Sequence, residues 1–370
     1  MNQLARPVWA KIDLENVAYN VKQIKSKLQA DCHLMVVVKA NGYGHGDLEI
    51  ARTALANGAS WLAVAIPEEG VRLRRASIAS PILVLGALSV QQLEICVAKD
   101  LVLTVFQWEI AQALSNIARR LRKTVRIHVK VDTGMSRIGI PPEDAVKFIK
   151  RLRGLPGIEI QGIYTHFASA DIPDGEYVKW QWQRFSWVLL ELRKEGISIP
   201  LKHCANTAAT LLLPETHLTM VRVGLGVYGL HSNETRTIQL KPAFSLHTEV
   251  AAVKRVPPGT AISYHSTYVT WKETNIITLP IGYADGVLRR LSNRAVVLVN
   301  GILCPIAGRI TMDHCMVDVG DIEVDEGATV TLIGKQGDAE ITVDDWARWL
   351  DTINYEIPCM ISERVERVYH

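Results

Sequence analysis

Residues 34–65 read LMVVVKANGYGHGDLEIARTALANGASWLAVA, and this stretch decides the fold. Leu34–Val38 is an unbroken apolar run, rich in β-branched residues, that reads as a strand buried on both faces. After a glycine-rich turn, Leu48–Asn57 has the spacing of a helix, and Asn57-Gly58 supplies the residues that helix C-termini favour. Trp61–Ala65 is the next apolar run. Strand, helix and strand in this order form the unit of a parallel sheet covered by helices.

The alternation continues outward through Ile82–Leu85, Val102–Val105, Arg126–Val131, Ile158–Tyr164, Leu201–His203 and Met220–Val223. Helical spacing fills intervals such as Ala111–Leu121, Pro142–Arg153 and Tyr177–Lys194, with Gly196 closing the last. Eight such units in about 220 residues predict an α/β fold of the (β/α)8 TIM-barrel type. From Thr237 onward the helical periods disappear. Ser245–Val256, Ile276–Leu279, Ala295–Val299, Ile302–Ile306, Met316–Val319 and Ala328–Leu332 are alternating or β-branched runs, and Asn300-Gly301 is a two-residue hairpin signal. The expectation is a barrel over 1–236 followed by a mostly antiparallel β domain over 237–370.

Composition narrows the function classes. Of 370 residues, 48% are hydrophobic and 21% charged, which excludes disorder as the main state. The net charge of +3 is small and its Lys and Arg are scattered, so neither nucleic acid nor an anionic membrane is the expected partner. No apolar run approaches the roughly eighteen residues of a membrane span, and the N-terminal residues lack the apolar core of a secretory signal. Cys32, Cys96, Cys204, Cys304, Cys315 and Cys359 show no CxxC or CxxH pairing. That argues against a zinc site and a disulfide framework, and for a reducing cytoplasm.

Lys39 is the first residue with chemical promise, at the carboxyl end of the first barrel strand, where barrel enzymes place their chemistry. A Lys leaving an apolar strand is partly desolvated, which favours a neutral, Schiff-base-forming amine; the bland alternative is a strand-end Lys reaching solvent. Gly42, Gly44 and Gly46 fit neither a P-loop nor a dinucleotide fingerprint. The loops after strands seven and eight, at Ala205-Asn206-Thr207 and Val223-Gly224-Leu225-Gly226, can hold a phosphate at a helix N-terminus, although Asn206 is equally an ordinary N-cap. A lysine and a phosphate site together point to pyridoxal phosphate. Lys130, Arg137, His166 and Arg222 also fall at strand ends, and residues of their types there are more often structural partners. Tyr264 in SYHSTY and Asp313 in GRITMDHCMVD read, on their own, as turn chemistry or satisfied polar groups.

The segments VVKANGYGHG, HVKVDTGMSRIG, THFASAD, CANTAATL, VRVGLGVYGL, PIGYADGVLRRLSN, GRITMDHCMVDVG and NYEI followed by SERVERVY occur in that order. In this the chain resembles the alanine racemases, pyridoxal-5′-phosphate isomerases that interconvert L- and D-alanine for peptidoglycan precursors. The resemblance implies that the first strand, Val8–Ile12 here, joins the β domain. It makes Lys39 the site of the internal aldimine and one acid/base, with Tyr264 the other. Tyr264 would bond His166, which in turn meets Arg222, and Arg222 would face the pyridine nitrogen. Tyr43, Thr207, Gly224, Leu225 and Tyr355 would hold the phosphate, with Asn206 nearby and Leu85 lining the pocket. Arg137 and the Met312 backbone would bind the substrate carboxylate, beside Asp313, while Tyr283 would narrow the entrance. Lys130 would be carbamylated, the alternative being an ion pair with Asp132. The resemblance further implies a homodimer with shared active sites. Three residues depart from the pattern: His265 in place of a common Gly, Thr207 of a Ser and Val223 of a Pro.

Three rivals differ from this reading. A pyridoxal decarboxylase of basic amino acids shares the two-domain plan but favours an acidic partner for the ring, where this chain has Arg222. A broader-range racemase differs in pocket size and, in its exported form, carries a signal sequence. A pyridoxal-binding homeostasis protein matches the barrel alone and leaves residues 237–370, with Tyr264, without purpose.

Overall fold

The computed structural model describes residues 6–172, 175–232 and 237–370; residue 236, the expected end of the barrel segment, lies outside them. Contacts divide the chain into two compact units. One contains Asn16–Gly42 and Gly46–Lys241; the other contains the N-terminal residues to Glu15, Tyr43–His45 and Pro242–His370.

The first unit is built on eight parallel strands: His33–Val37, Trp61–Val64, Ile82–Val84, Val102–Val105, Val125–Lys130, Ile158–Tyr164, Leu201–His203 and Met220–Val223. They pair in sequence order, and the first also pairs with the eighth, from His33↔Met220 to Val36↔Val223. The remaining junction, between the seventh and eighth strands, is stitched by Thr219 N–H to Lys202 O at 3.3 Å and Arg222 N–H to Ala205 O at 3.0 Å. This is the near-closed α/β barrel that the apolar runs predict. Helices Asp47–Ala56, Pro67–Arg75, Val90–Ala98, Trp108–Leu121, Pro142–Leu152 and Glu176–Lys194 fill the intervals between strands.

Barrel interiors are packed layers of side chains rather than pores. Alternate residues of adjacent strands place Trp61, Thr104, His128, Lys130, Tyr164, His203 and Arg222 against one another here. Thr104 donates to Val84 O at 2.7 Å and shares a 2.9 Å bond with the Tyr164 hydroxyl, and the Tyr164 ring stacks on His203 at 4.7 Å.

In the second unit, Val8–Ile12 lies between Phe244–Glu249, which it pairs antiparallel, and Glu366–Tyr369, which it pairs parallel. That sheet continues through Thr329–Gln336, Val296–Val299 and Ile302–Pro305. Asn300 and Gly301, at φ +50° and +78°, make the hairpin turn that joins the last two. A three-stranded sheet of Ala252–Val256, Thr274–Leu279 and Cys315–Gly320 accompanies it. The apolar run Ser245–Val256 is divided between the two sheets at Val250-Ala251.

The expected loss of helix after Thr237 needs correction: Val343–Leu350 and Glu356–Met360 are helical. Thr342 caps the former by accepting from Asp345 N–H at 3.0 Å while Asp345 accepts from Thr342 N–H at 2.7 Å, a capping box, and the helix buries Val343, Trp346, Ala347 and Leu350 along one face. Among the described residues no helix is long and apolar enough to cross a membrane.

Candidate active site

Lys39 leaves the barrel just past the end of the first strand, and the backbone then turns the wrong way. Ala40, Asn41, Gly42 and Tyr43 have φ of +51°, +52°, +61° and +53°, a left-handed turn. For L-residues this costs about 1–2 kcal/mol each, so the surroundings must hold it. Glu69 does part of this, its Oε1 accepting from Ala40 N–H at 2.7 Å and its Oε2 from Ala65 N–H at 2.8 Å, which ties together the loops after the first two strands.

Arg222, on the eighth strand, is 3% exposed. Its Nη2 donates to Thr165 O at 2.8 Å, Cys204 O at 3.1 Å and His166 Nδ1 at 3.2 Å, and its Nη1 to His203 Nδ1 at 2.8 Å. Arginine has no acceptor atom, so both imidazoles must offer bare Nδ1 atoms and carry their protons on Nε2. Burial, followed by the Arg222 cation, holds both histidines well below their ordinary range, and Lys39 is among the cations acting on His166. His166 therefore keeps an Nε2–H available as a donor.

Lys130 is 3% exposed on the same wall. Burial and then Arg222 bring its pKa down to about 7, with Asp132 opposing and Arg137 assisting. The ammonium lies 5.0 Å from the Tyr164 ring and reaches Val131 O at 3.4 Å. Asp132 Oδ1 instead accepts from Gly134 and Ser136 N–H at 2.9 and 3.0 Å, shaping the loop that carries the exposed Arg137.

After the seventh strand, Asn206 caps helix Thr207–Leu212 by accepting from Ala209 N–H at 3.0 Å. After the eighth, Gly224 precedes a 3₁₀ turn over Leu225–Tyr228 and donates its N–H to Thr207 Oγ1 at 3.2 Å. The starts of both helical segments thus abut, offering backbone N–H groups to an anion. Leu85 follows the third strand, its carbonyl 3.5 Å from the Tyr164 hydroxyl. The first unit therefore brings together Lys39, Leu85, Lys130, Arg137, His166, Asn206, Thr207, Arg222, Gly224 and Leu225 at the carboxyl ends of its strands.

The other predicted residues belong to the second unit. Tyr43 and Tyr355 pair with ring centroids 6.3 Å apart, and burial pushes the Tyr43 phenol upward. Tyr264 is 66% exposed and Met312 53% exposed. Tyr283 N–H donates to Thr311 O at 3.0 Å, and Ala284 N–H to Met312 O at 3.1 Å, stitching two of the predicted loops together. Asp313 accepts from Arg364 at 2.8 Å. His265, beside Tyr264, has φ +62°, the left-handed conformation that explains why glycine suits this position.

The sequence reading missed His128, Tyr164, Thr165 and His203, all buried partners of Arg222 or of one another. A signal was present: stepping by two from Lys130 reaches His128, and polar residues at such inward positions stand out in otherwise apolar strands.

Two family descriptions match the chain, the alanine racemase N-terminal domain over residues 12–232 and the alanine racemase C-terminal domain over 243–369. The alanine racemase of Methanococcus maripaludis is 47% identical over 371 residues, covering 99% of both chains. That of Halothermothrix orenii is 46% identical, covering 99% of this chain and 98% of its own. The crystal structure of Bacillus anthracis alanine racemase with bound L-Ala-P superposes with a TM-score of 0.94 at 42% identity, over 99% of this chain and 96% of the other. A histidine racemase from Leuconostoc mesenteroides also superposes, with a TM-score of 0.92 at 30% identity over 100% and 99% of the two chains.

Proposed function

The chain belongs to the alanine racemase family of isomerases, and from that we propose that Lys39 and Tyr264 are its two acid/base residues, acting with pyridoxal 5′-phosphate in active sites shared across a homodimer. One observation carries the reading: a buried Arg222, able only to donate, is bonded to His166 at the mouth of the barrel whose first strand delivers Lys39.

The residues fit the cofactor. Lys39 supplies an amine for an aldehyde, and the Thr207 hydroxyl with the backbone of Gly224 and Leu225 suits a phosphate, with Asn206 supporting them and Tyr43 and Tyr355 as further hydroxyl donors. Leu85 lines the ring's pocket. When bound, pyridoxal phosphate withdraws electrons from the substrate's Cα and acidifies its proton. Arg222 cannot surrender a proton at neutral pH, so a pyridine nitrogen facing it receives a hydrogen bond without becoming charged. That restrains the electron sink and with it side reactions such as transamination.

Racemisation requires a proton to leave one face of Cα and another to arrive on the opposite face. Lys39 Nζ serves one face and the Tyr264 phenol the other. Tyrosine ordinarily titrates near 10, so a basic Tyr264 needs a donor, and the Nε2–H of His166 supplies it. Arg137 binds the substrate carboxylate with the Met312 backbone beside Asp313, and Tyr283 limits the side chain admitted. A neutral Lys130 amine adds to carbon dioxide through a new N–C bond and releases one proton to solvent, and the carbamate anion then balances the nearby Arg222 and Arg137 cations. Asn16–Gly42 and Gly46–Lys241 supply the cofactor's barrel, and Pro242–His370 the second base and entrance. Free cysteine thiols suit the cytoplasm, where D-alanine enters peptidoglycan precursors.

Sharing is supported by the exposure of Tyr264 and Met312 on a single chain, since a proton-transfer group works best screened from water. Lys39→Ala and Tyr264→Ala proteins, each nearly inactive, should be unfolded and refolded together. Random pairing in a two-fold dimer restores about a quarter of all sites. A mixture containing hybrids but with only background activity would show that both bases belong to one chain.

A further inference from the structure

Behind Arg222 the barrel interior holds a second, deeper chain of polar groups. His203 Nδ1 accepts from Arg222, so its proton sits on Nε2, which lies 2.8 Å from His128 Nδ1. His128 Nδ1 must then accept, leaving the His128 proton on Nε2. That atom is buried without a partner of standard geometry, and so is Gln161 Oε1. The first needs an acceptor and the second is one.

Two backbone features bring them together. Ile127 pairs with Ile160 and His128 with Gly162, so Gln161 is the extra residue of a β-bulge between the fifth and sixth strands. Bulges release a side chain from strict alternation and re-aim it. Gly162 provides the room: a Cβ there would stand 2.6 Å from His128 Cγ and Nδ1. The ring lies against Gly162, with Trp61 5.4 Å away on another side. Burial lowers the His128 pKa to about 3, keeping it neutral, and the Gln161 amide acts on it in the opposite sense, as an acceptor facing the Nε2–H does.

We infer that Gln161 and His128 are positioning residues, the end of a one-way hydrogen-bond chain running Arg222→His203→His128→Gln161 that holds both histidine tautomers and through them the orientation of the guanidinium. The inference rests on the proposed role of Arg222 toward the cofactor ring and His166. A flipped His203 would place an N–H against Arg222 Nη1 and turn the guanidinium away from His166. Glutamine suits the end of the chain because its carbonyl accepts without drawing a proton. A carboxylate would favour a doubly protonated His128, whose Nδ1–H would oppose the Nε2–H of His203.

Histidine ¹⁵N shifts of the full-length holoenzyme, assigned with His128→Asn and His203→Asn variants, read the tautomers directly. The wild-type protein should show bare Nδ1 and protonated Nε2 at both residues. Gln161→Glu should convert or mix the His203 tautomer, and Gln161→Met, which removes the acceptor, should do so in part. Both variants should lose about tenfold in kcat with KM little changed, equivalent to about 1.4 kcal/mol of barrier. A wild-type His203 protonated on Nδ1, unchanged shifts in both variants, or altered tautomers with unchanged kcat would each overturn the inference. If Gln161→Glu fails to fold, the wild-type spectrum and Gln161→Met still decide it. An Arg222→Lys enzyme with undiminished racemisation would instead remove the assigned role of Arg222 while leaving the tautomer result standing.

Discussion

Replacing Gly162 by alanine tests how tightly the barrel interior holds its polar chain. The new Cβ would meet His128 Cγ and Nδ1 at 2.6 Å and Cε1 at 2.7 Å. Ordinary carbon contacts begin near 3.5 Å, so the ring must retreat by about 0.9 Å. His128 Nδ1 now sits 2.8 Å from His203 Nε2, and a retreat of that size along the bond takes the pair beyond hydrogen-bonding range. Overpacking costs about 1–3 kcal/mol, and a buried donor left unmade about 1–3 kcal/mol. The two overlap, because any relief of one worsens the other, so the expected loss is roughly 2–4 kcal/mol. Urea unfolding followed by tryptophan fluorescence measures it, with Trp61 close to the displaced ring. Adding His128→Ala removes the clash, and the double variant should be more stable than the sum of the single losses by about 0.5–3 kcal/mol. A Gly162→Ala protein with wild-type stability and kcat would refute the packing argument.

Three further outcomes are expected. His128 and His203 are buried neutral with lowered pKa values, about 3 for His128, so the unfolded chain takes up their protons first. Their contribution to stability is complete above about pH 6.5 and declines as pH falls below it, by up to about 1.4 kcal/mol per pH unit for each; urea midpoints equal at pH 7.5 and 5.5, or higher at 5.5, would contradict this. Because Lys130 approaches neutrality near pH 7, ¹³C-bicarbonate should yield a carbamate carbonyl resonance that disappears in Lys130→Ala, and its absence from wild-type protein would mean an unmodified lysine. Alanine should exceed serine and histidine in kcat/KM by roughly 10–200-fold, the discrimination a tight pocket provides; comparable values would show that Tyr283 and Tyr355 do not restrict the side chain, and that His265 deserves the first substitution.

The sequence by itself determined the segmentation of the barrel. All eight expected strands are present within a residue or so of their ends, because strands buried on both faces must be continuous apolar runs. The positions of Lys39, His166, Thr207 and Arg222 at or just past strand ends were legible too, since a strand end followed by a loop is a local pattern. The hairpin at Asn300-Gly301 was legible for the same reason. Helix Val343–Leu350 was legible but passed over: Val343, Trp346, Ala347 and Leu350 keep helical spacing behind the Thr342–Asp345 cap, in a short segment among strand-like runs. Tertiary structure alone decided which side chains meet inside the barrel. His128, His203 and Arg222 come from three strands, and their contact depends on the closure that carries the eighth strand back to the first. Gln161 reaches this chain through a single skipped residue in one ladder, and Gly162 makes room for a ring 34 positions away. Periodicity tells which face of a strand a residue occupies; only the registers between strands, set by closure of the whole sheet, tell what that face touches.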